Sequence, residues 1–230
     1  MFKFLNFTFV KLKLIYQGAE ASLFHGQWFG KEVIYKQRIP KKYRLEEIDR
    51  KIRLTRTLNE ARALIKIKSY GINVPQVFEI DTNTSTIIMK YIKGKKLKFL
   101  LNSIVDAKKQ EIFYTIGRFI AILHQNGHVH GDITTSNIIV TKNNDIFLID
   151  FGLHDYSDSI EDKSVDLHLL KRVLISSHGK DFNLCFKSFL NGYRSKYKDG
   201  KTKECDEIIY NMSTIETRGR YVKKEERLYI

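Results

Sequence analysis

The sequence has few cysteines and lacks a long apolar run. Its two cysteines, Cys185 and Cys205, belong to no CxxC or Cys/His cluster. This argues against a structural zinc site or a disulfide framework and favours a reducing compartment. No stretch approaches the roughly 20 apolar residues that a membrane-spanning helix requires. Lys3, Lys11 and Lys13 interrupt the apolar N-terminus, so we expect no secretory signal and a cytoplasmic protein without a membrane contact.

Acidic residues are also scarce relative to basic ones. The 26 Asp and Glu face 40 Lys and Arg, which gives a formal net charge of +14. Such a surplus favours a polyanionic partner, with nucleic acid preferred over anionic lipid, although a solvated basic surface without a ligand is the alternative. With 230 residues, 43% of them hydrophobic, the chain is neither disordered nor collagen-like and is long enough for one domain or two small ones.

The first part of the chain has the patterns of a sheet with one inserted helix. Roughly alternating or short apolar runs predict strands over 4–16, 22–28, 33–38, 77–80 and 86–91. A helix follows the third strand and ends near Gly71, and we expect its buried face to carry Leu58, Ala61, Leu64 and Ile65.

The remainder of the chain is mostly helical. Ile112, Ile116 and Ile120 recur at helical spacing before a stop at Asn126-Gly127. Two short strands, 138–140 and 146–149, flank the turn KNND. Further helices are predicted after Asp162, with Val165, Leu169, Leu170 and Val173 on the apolar face, and over 181–197 and 202–210. The predicted class is α+β, with a β-rich N-lobe over 1–91, a helical C-lobe over 92–217 and a basic tail over 218–230.

A kinase-type constellation lies in the second part. HGDITTSN occupies 130–137 and DFG occupies 150–152. In the protein-kinase pattern, an Asp and an Asn five residues apart share a catalytic loop, and the Asp of DFG holds magnesium. We therefore assign Asp132 to the attacking oxygen, and Asn137 and Asp150 to the metal, because hard cations prefer oxygen ligands.

Upstream residues fall into register with this loop. Lys36 ends the third strand, where a kinase-type ammonium reaches the nucleotide phosphates, and Glu60 lies mid-helix, where it can pair with Lys36. Taken alone, Lys36 is compatible with a solvated lysine and Glu60 with a surface i,i+4 pair. Asp166 is expected to hold the catalytic-loop backbone, and His130 and His178 to act as structural hydrogen-bonding groups.

Two segments are assigned to the nucleotide itself. The turn after the first strand takes the place of a glycine-rich phosphate loop, although an ordinary hairpin turn is the alternative; it consists of Gly18, Ala19, Glu20 and Ala21. The segment between the lobes offers its backbone to adenine, with edge-strand packing as the alternative; it consists of Met89, Lys90, Tyr91 and Ile92.

The motifs together resemble a known family. GAEA, RIPKKYR, RTLNEARAL, HGDITTSN, DFGL, EDKSVDL and RGR are similar to segments of the small atypical kinase/ATPase subunit of the KEOPS complex (the PRPK family), and they run from residue 18 to residue 220. RIO-type kinases are the relatives with the nearest architecture. The resemblance implies a bilobal protein-kinase-like fold with ATP and Mg²⁺ as cofactors. The sequence departs from the family pattern at Lys90 and Lys93, where acidic residues are usual, and at 176–179, which lacks a proline.

The resemblance also implies a biological role. In that family, the protein binds a metal-dependent transferase that makes the threonylcarbamoyl modification on adenosine in tRNA, and ATP hydrolysis supports the modification. Partners would therefore be that transferase subunit, the other KEOPS subunits and tRNA, and a serine/threonine protein kinase activity is implied. The terminal RGR resembles the family's tRNA-facing C-terminus, which assigns tRNA contacts to Arg218, Arg220, Lys223 and Lys224; a solvated end is the alternative.

Other functions share the same core. A RIO-like or small-molecule kinase and a non-catalytic nucleotide-binding scaffold are the alternatives. The EDKSVDL and RGR segments favour a KEOPS-type kinase/ATPase over a RIO-like or small-molecule kinase. Most protein kinases have an Arg before the catalytic Asp that binds an activation-loop phosphate, but Gly131 stands there. The chain between Asp150 and Asp166 is also short and lacks an APE motif. We therefore expect activity without activating phosphorylation.

Overall fold

The computed structural model describes residues 12–198 and 200–221, with side chains up to residue 215. The chain divides into two compact units between Lys93 and Gly94. The first unit is dominated by a sheet and the second by helices, so the predicted α+β class is confirmed.

The sheet of the first unit contains five antiparallel strands. They are β1 (Lys13–Gln17), β2 (Ala21–Trp28), β3 (Lys31–Arg38), β4 (Val77–Asp81) and β5 (Thr86–Lys90), in the spatial order β1-β2-β3-β5-β4. Phe29 and Gly30, both with positive φ, join β2 to β3, as a two-residue hairpin of matching twist requires. Val33, Tyr35 and Ile88 form a core cluster in this unit. Residues 4–11 of the predicted first strand lie outside the described part of the chain.

One long helix, α1 (Glu46–Ser69), lies between β3 and β4. Its buried stripe contains Thr57, Glu60, Ala61, Leu64 and Ile67, which are spaced by three and four residues as one helix face requires. The prediction that Ile65 belongs to this face is wrong, since 55% of its surface is exposed. Because successive residues of a helix are about 100° apart, Ile65 turns away from the buried face that contains Leu64. The charged side chain of Glu60 occupies a position on that face where an apolar side chain is expected.

The second unit contains two small sheets. The first has the order β6 (Gly94–Lys96), β8 (Ile138–Thr141), β9 (Ile146–Leu148), and the second pairs β7 (His128–Val129) with β10 (Asp155–Tyr156). The β8–β9 hairpin agrees with the prediction. Strands of two or three residues, such as β6, β7 and β10, are too short to display a period of two in the sequence.

Helices form the rest of the second unit. They are α2 (Leu97–Leu100), α3 (Asp106–Gln125), α4 (Ile160–His178), α5 (Phe182–Arg194) and α6 (Thr202–Tyr221). Glycines bring α3 and α5 together: a Cβ on Gly117 would lie 2.0 Å from the Phe189 carbonyl oxygen, and one on Gly192 would lie 1.9 Å from that of Tyr114. None of these described helices is both long and apolar enough to cross a membrane.

The apolar face of α4 differs from the prediction. Val165 is 38% exposed, whereas Leu167, Leu170 and Leu174 are fully buried. The buried stripe also contains Asp166. A polar residue in the stripe shifts the apparent apolar periodicity toward the wrong side of the helix, because hydrophobicity alone assigns such a residue to the solvent face.

Candidate active site

Lys36 and Glu60 form a buried ion pair in the first unit. Lys36 lies on β3 and Glu60 on α1, and Lys36 Nζ donates to Glu60 Oε1 at 2.5 Å. The two side chains are 9% and 2% exposed. The predicted pairing is therefore present. Because each buried charge depends on the other for compensation, the pair fixes the ammonium group at one place on the sheet.

A second cation shares this carboxylate. Arg38 Nη2 donates to Glu60 Oε2 at 2.8 Å, so each oxygen of Glu60 carries one basic partner. The sequence reasoning missed Arg38. The available signal was its position two residues after Lys36, because residues i and i+2 of a strand share a face.

The turn 18–21 is tied down by backbone and side-chain contacts. Gly18 N donates to the Ala21 carbonyl oxygen at 3.0 Å, and Lys41 Nζ donates to the carbonyl oxygen of Ala19. The Glu20 carboxylate pairs with Arg56, and its Oε2 lies 3.7 Å from Arg38 Nη1. The turn is thus held by Arg38 of β3, by Lys41 in the segment after β3 and by Arg56 of α1. It does not depend on several glycines, as a glycine-rich loop does.

The segment 89–92 has limited capacity for new backbone hydrogen bonds. Lys90 N donates to the Gln76 carbonyl oxygen at 2.8 Å, and Tyr91 N donates to that of Glu32 at 3.1 Å. These two N–H groups are therefore committed within the protein. The adenine contact assigned to this segment stays a prediction, and it cannot use these two N–H groups.

In the second unit, the Asn137 side chain is hydrogen-bonded to Asp132. Asn137 Nδ2 donates to the backbone oxygen of Asp132 at 3.0 Å and to its Oδ2 at 2.8 Å. Both amide hydrogens are thereby used, and the amide is oriented with Oδ1 as its remaining acceptor. This geometry fixes the Asp132 carboxylate and presents an oxygen of Asn137, which is the atom that a magnesium ligand must offer.

Asp150 follows the β8–β9 hairpin. Ile149 N donates to the Asn137 carbonyl oxygen at 2.9 Å, so the chain entering DFG runs beside the end of the catalytic loop. Asp150 is exposed and has a φ of +63°, an uncommon conformation for a residue with a side chain. Gly152 N donates to its Oδ1 at 3.2 Å. The hairpin therefore brings the backbone that leads into Asp150 against the backbone of Asn137.

Gly131 occupies a position that accepts only glycine. Its φ is +78°, and a Cβ there would lie 2.2 Å from the carbonyl oxygen of Leu153. A backbone atom cannot withdraw as a flexible side chain can, so neither an arginine nor an alanine fits. The absence of the arginine noted in the sequence is thus built into the backbone of the loop.

Asp166 holds the backbone of the catalytic loop, as expected. Its carboxylate accepts from the N–H groups of His130 and Gly131 at 2.6 and 2.8 Å. Burial on its own would raise the pKa of the Asp166 carboxyl, but its hydrogen bond to His124 and its electrostatic interactions with His124 and His130 keep the pKa below its ordinary value. The carboxylate is therefore kept ionised, which is the form that accepts both N–H groups.

A buried polar chain continues from Asp166. His124 Nε2 lies 3.3 Å from Asp166 Oδ2, and His124 Nδ1 lies 2.8 Å from Tyr193 Oη. Tyr193 Oη is in turn 3.0 Å from Tyr197 Oη. Burial raises the pKa of both tyrosines, so the hydroxyls stay protonated. This series of hydrogen bonds links the catalytic loop to α5, and the sequence reasoning did not identify it.

The two histidines predicted as structural groups are both buried. Burial lowers the pKa of His130 and of His178, so both rings favour the neutral form. His130 Nδ1 lies 3.3 Å from Asp132 N, and its ring packs at a tilt of 39° against Phe151, with centroids 4.4 Å apart. His178 Nε2 lies 3.1 Å from Thr135 Oγ1. These contacts support the loop around Asp132 and Asn137.

The donor set of Asn137 and Asp150 fits magnesium. Among the described residues, no group of three or more His, Cys, Asp or Glu side chains is arranged to hold a metal ion by itself. One amide oxygen and one carboxylate match the way proteins bind Mg²⁺, which keeps waters and phosphate oxygens as its other ligands.

The tail residues assigned to tRNA are not part of this geometry. Arg218 and Arg220 lie in the last turns of α6, where the structure describes the backbone alone. Lys223 and Lys224 lie outside the described residues. Their proposed contacts stay a prediction.

Comparison with known proteins agrees with the motifs. A family profile described as RIO domain matches residues 27–161. The chain is 44% identical over 216 residues to the KEOPS complex subunit Bud32 of Pyrococcus abyssi, and the match covers 91% of this chain and 96% of that protein.

Longer relatives contain a matching segment. The chain is 39% identical to a probable bifunctional tRNA threonylcarbamoyladenosine biosynthesis protein of Methanosphaera stadtmanae and to one of Methanocaldococcus jannaschii, over 206 and 210 residues. These matches cover 90% and 91% of this chain but 36% and 37% of the relatives, so the chain spans about a third of their length. The family predicted from the motifs is confirmed. The chain belongs to the RIO-domain family, in the group that includes the KEOPS complex subunit Bud32.

Proposed function

We propose that the protein is a Mg-ATP-dependent kinase/ATPase of a KEOPS complex that supports threonylcarbamoyladenosine modification of tRNA. The observation that carries the proposal is the double hydrogen bond from Asn137 to Asp132, together with Asp150 at the end of the adjoining hairpin. This arrangement orients one carboxylate for a nucleophile and leaves an amide oxygen and a second carboxylate for a cation.

Each residue has a stated task in this proposal. Lys36, extended by Glu60, contacts nucleotide phosphates, and Asp132 orients the attacking hydroxyl or water and accepts its proton. Asn137 and Asp150 would hold Mg²⁺, which would supply positive charge to offset the charge of the nucleotide phosphates. Phosphoryl transfer relies mostly on such placement and charge stabilisation, and this chain provides both on buried supports.

The phosphoacceptor is water or a protein hydroxyl. Gly131 stands where most protein kinases have the arginine that binds an activation-loop phosphate. In addition, β10 starts soon after DFG, which leaves little chain for a peptide-docking segment. We therefore favour ATP hydrolysis as the main reaction and serine/threonine phosphorylation as a secondary one, in a cytoplasmic protein.

The names of the relatives support the proposed partners. One relative is described as a KEOPS subunit, and others are described as bifunctional proteins of which this chain matches about a third. We infer that the remaining part of those longer proteins corresponds to a separate partner here, a tRNA-modifying transferase. Co-purification from the native host tests this: recovery of such a transferase and other KEOPS subunits is expected, and its reproducible absence contradicts the assembly.

ATP turnover tests the chemistry. Asp150→Asn keeps the side-chain size but removes the charge offered to Mg²⁺, and we expect the rate to fall by at least about 100-fold. Asp206→Asn is the matched control, because Asp206 is exposed on α6. Turnover by Asp150→Asn at the wild-type rate, with magnesium present, would show that the site assignment is wrong.

A further inference from the structure

Arg38 connects the two features of the first unit that the proposed function assigns to phosphate binding. Its guanidinium donates to Glu60 Oε2 at 2.8 Å through Nη2, and Nη1 lies 3.7 Å from Glu20 Oε2. Glu60 holds Lys36, and Glu20 lies in the turn 18–21. One side chain thus contacts both the partner of the phosphate-binding ammonium and the phosphate-covering loop.

The position of Arg38 is fixed on several sides. Arg38 is paired with Ala21 across β2 and β3, and Ile39 N donates to the Glu20 carbonyl oxygen at 3.1 Å. The side chain is 5% exposed, and its Nε is buried without a hydrogen-bond partner among the described residues. Leaving a buried guanidinium nitrogen without a hydrogen bond is unfavourable. We infer that the contacts of the other two nitrogens with Glu60 and Glu20 offset this cost and determine where the guanidinium lies.

The loop carries a charge that needs compensation. Glu20 places a carboxylate in a turn whose proposed ligand, a triphosphate, is itself strongly anionic. Like charges at close range repel, but Glu20 is paired with both Arg38 and Arg56. The two arginines therefore compensate the charge of the carboxylate.

We propose that Arg38 is a positioning residue for ATP: it couples the turn 18–21 to Lys36, so that loop and ammonium are set together for the triphosphate. The proposal rests on the proposed function. A planar guanidinium suits this role because its fork reaches two carboxylates at once, whereas a lysine offers a single ammonium.

Binding measurements with ATP and with adenosine test the coupling. Arg38→Gln leaves Glu20 without its buried partner and Glu60 with Lys36 as its remaining cation. We expect the Kd for Mg-ATP to rise about tenfold, as for loss of a charged hydrogen bond, while the Kd for adenosine, which has no phosphates, stays within about twofold. Arg38→Lys keeps the charge without the fork and is expected to show a smaller loss for ATP alone. It also serves if Arg38→Gln does not fold.

A rescue experiment separates positioning from simple destabilisation. Glu20→Gln removes the carboxylate that Arg38 neutralises, so the double variant Glu20→Gln, Arg38→Gln should bind ATP more tightly than Arg38→Gln alone. The matched controls are Arg50→Lys and Glu47→Gln, both on exposed positions of α1, and both should bind like wild type.

The outcomes distinguish this proposal from the proposed function. Equal weakening of ATP and adenosine by the Arg38 variants, unchanged ATP binding, or absence of rescue would overturn the positioning role of Arg38. If wild type itself binds Mg-ATP no more tightly than adenosine, the proposed function fails first.

Discussion

Asp166 accepts hydrogen bonds from two consecutive backbone N–H groups, those of His130 and Gly131, at 2.6 and 2.8 Å. The carboxylate is 1% exposed and lies on α4. One helix side chain therefore sets the path of the loop that carries Asp132. Because placement dominates phosphoryl transfer, we expect catalysis to depend on a residue that itself contacts no nucleotide.

Replacing this carboxylate by an amide tests that dependence. In Asp166→Asn, one of the two N–H groups faces an NH₂ group that cannot accept, so the loop shifts. We expect ATP turnover to fall about 100-fold and the free energy of unfolding to fall by about 1–3 kcal/mol. Steady-state kinetics and urea unfolding measure the two effects. Asp206→Asn is the control, and wild-type turnover in Asp166→Asn would refute the positioning of the loop by this residue.

The second prediction concerns Gly131. Alanine there meets both an unfavourable φ of +78° and the Leu153 carbonyl oxygen at 2.2 Å, so Gly131→Ala should lower the free energy of unfolding by at least about 2 kcal/mol and abolish turnover. Thermal unfolding and ATP hydrolysis provide the measurements.

Gly179 is the matched control for that substitution. Within the described part of the chain, no atom beyond its own neighbouring backbone lies within 4 Å of where its Cβ would be, and its φ of −53° suits any residue. Gly179→Ala should change the free energy of unfolding by about 0.5 kcal/mol or less. Similar behaviour of the two variants would contradict the steric account of the loop.

Histidine 154 gives the third prediction, on pH. Burial, with the neighbouring rings of His128 and His130, lowers the pKa of His154 to about 4 from 6.5. The unfolded chain therefore binds a proton at a pH where the folded protein does not. Stability from this group is complete above pH 6.5 and is lost as the pH falls toward 4, by on the order of 1–2 kcal/mol after allowing for solvent screening.

His154→Gln isolates this effect. His154 Nε2 lies 2.8 Å from His128 Nδ1, and a glutamine can hydrogen-bond there without titrating. Urea unfolding between pH 7 and pH 4.5 should show a steeper loss of stability for wild type than for the variant. Parallel stability curves would mean that His154 is not held neutral in the folded protein.

The basic tail is the subject of the fourth prediction. If tail cations contact phosphates, replacing them should weaken tRNA binding and lower the slope of log K against log salt by roughly three, at somewhat less than one per contact. The variant replaces four residues by glutamine: Arg218, Arg220, Lys223 and Lys224. Filter binding at several salt concentrations measures both affinity and slope, and ATP binding should be unchanged.

A control with the same charge loss is available on the second unit. Four exposed lysines, replaced together by glutamine, change the net charge equally: Lys180, Lys187, Lys201 and Lys203. This control should keep most of the salt slope. Equal slopes for the tail variant and wild type would mean that the tail is a solvated end that does not contact tRNA.

Much of the local structure could be predicted from the sequence. Strands β2, β3 and β5 and helix α5 occur where periodicity and turn residues predict them, within a few residues, and helices α1 and α3 end close to the glycines that predict their ends. The side chains on the buried faces were less predictable. Ile65 and Val165 are apolar but exposed, while Glu60 and Asp166 are charged but buried, because partners far along the chain compensate those charges and periodicity contains no information about partners.

By itself, the sequence determined which residues are the candidates for the chemistry, because Asp132, Asn137 and Asp150 lie close together along the chain and belong to a recognisable motif. Only the tertiary structure decided how they are supported. Arg38 meets Glu60 from 22 residues away and His124 meets Asp166 from 42 residues away, and the Leu153 carbonyl excludes a side chain at Gly131. Such contacts depend on how whole elements pack, since a folded chain satisfies buried polar groups through whichever residues packing brings within hydrogen-bond distance.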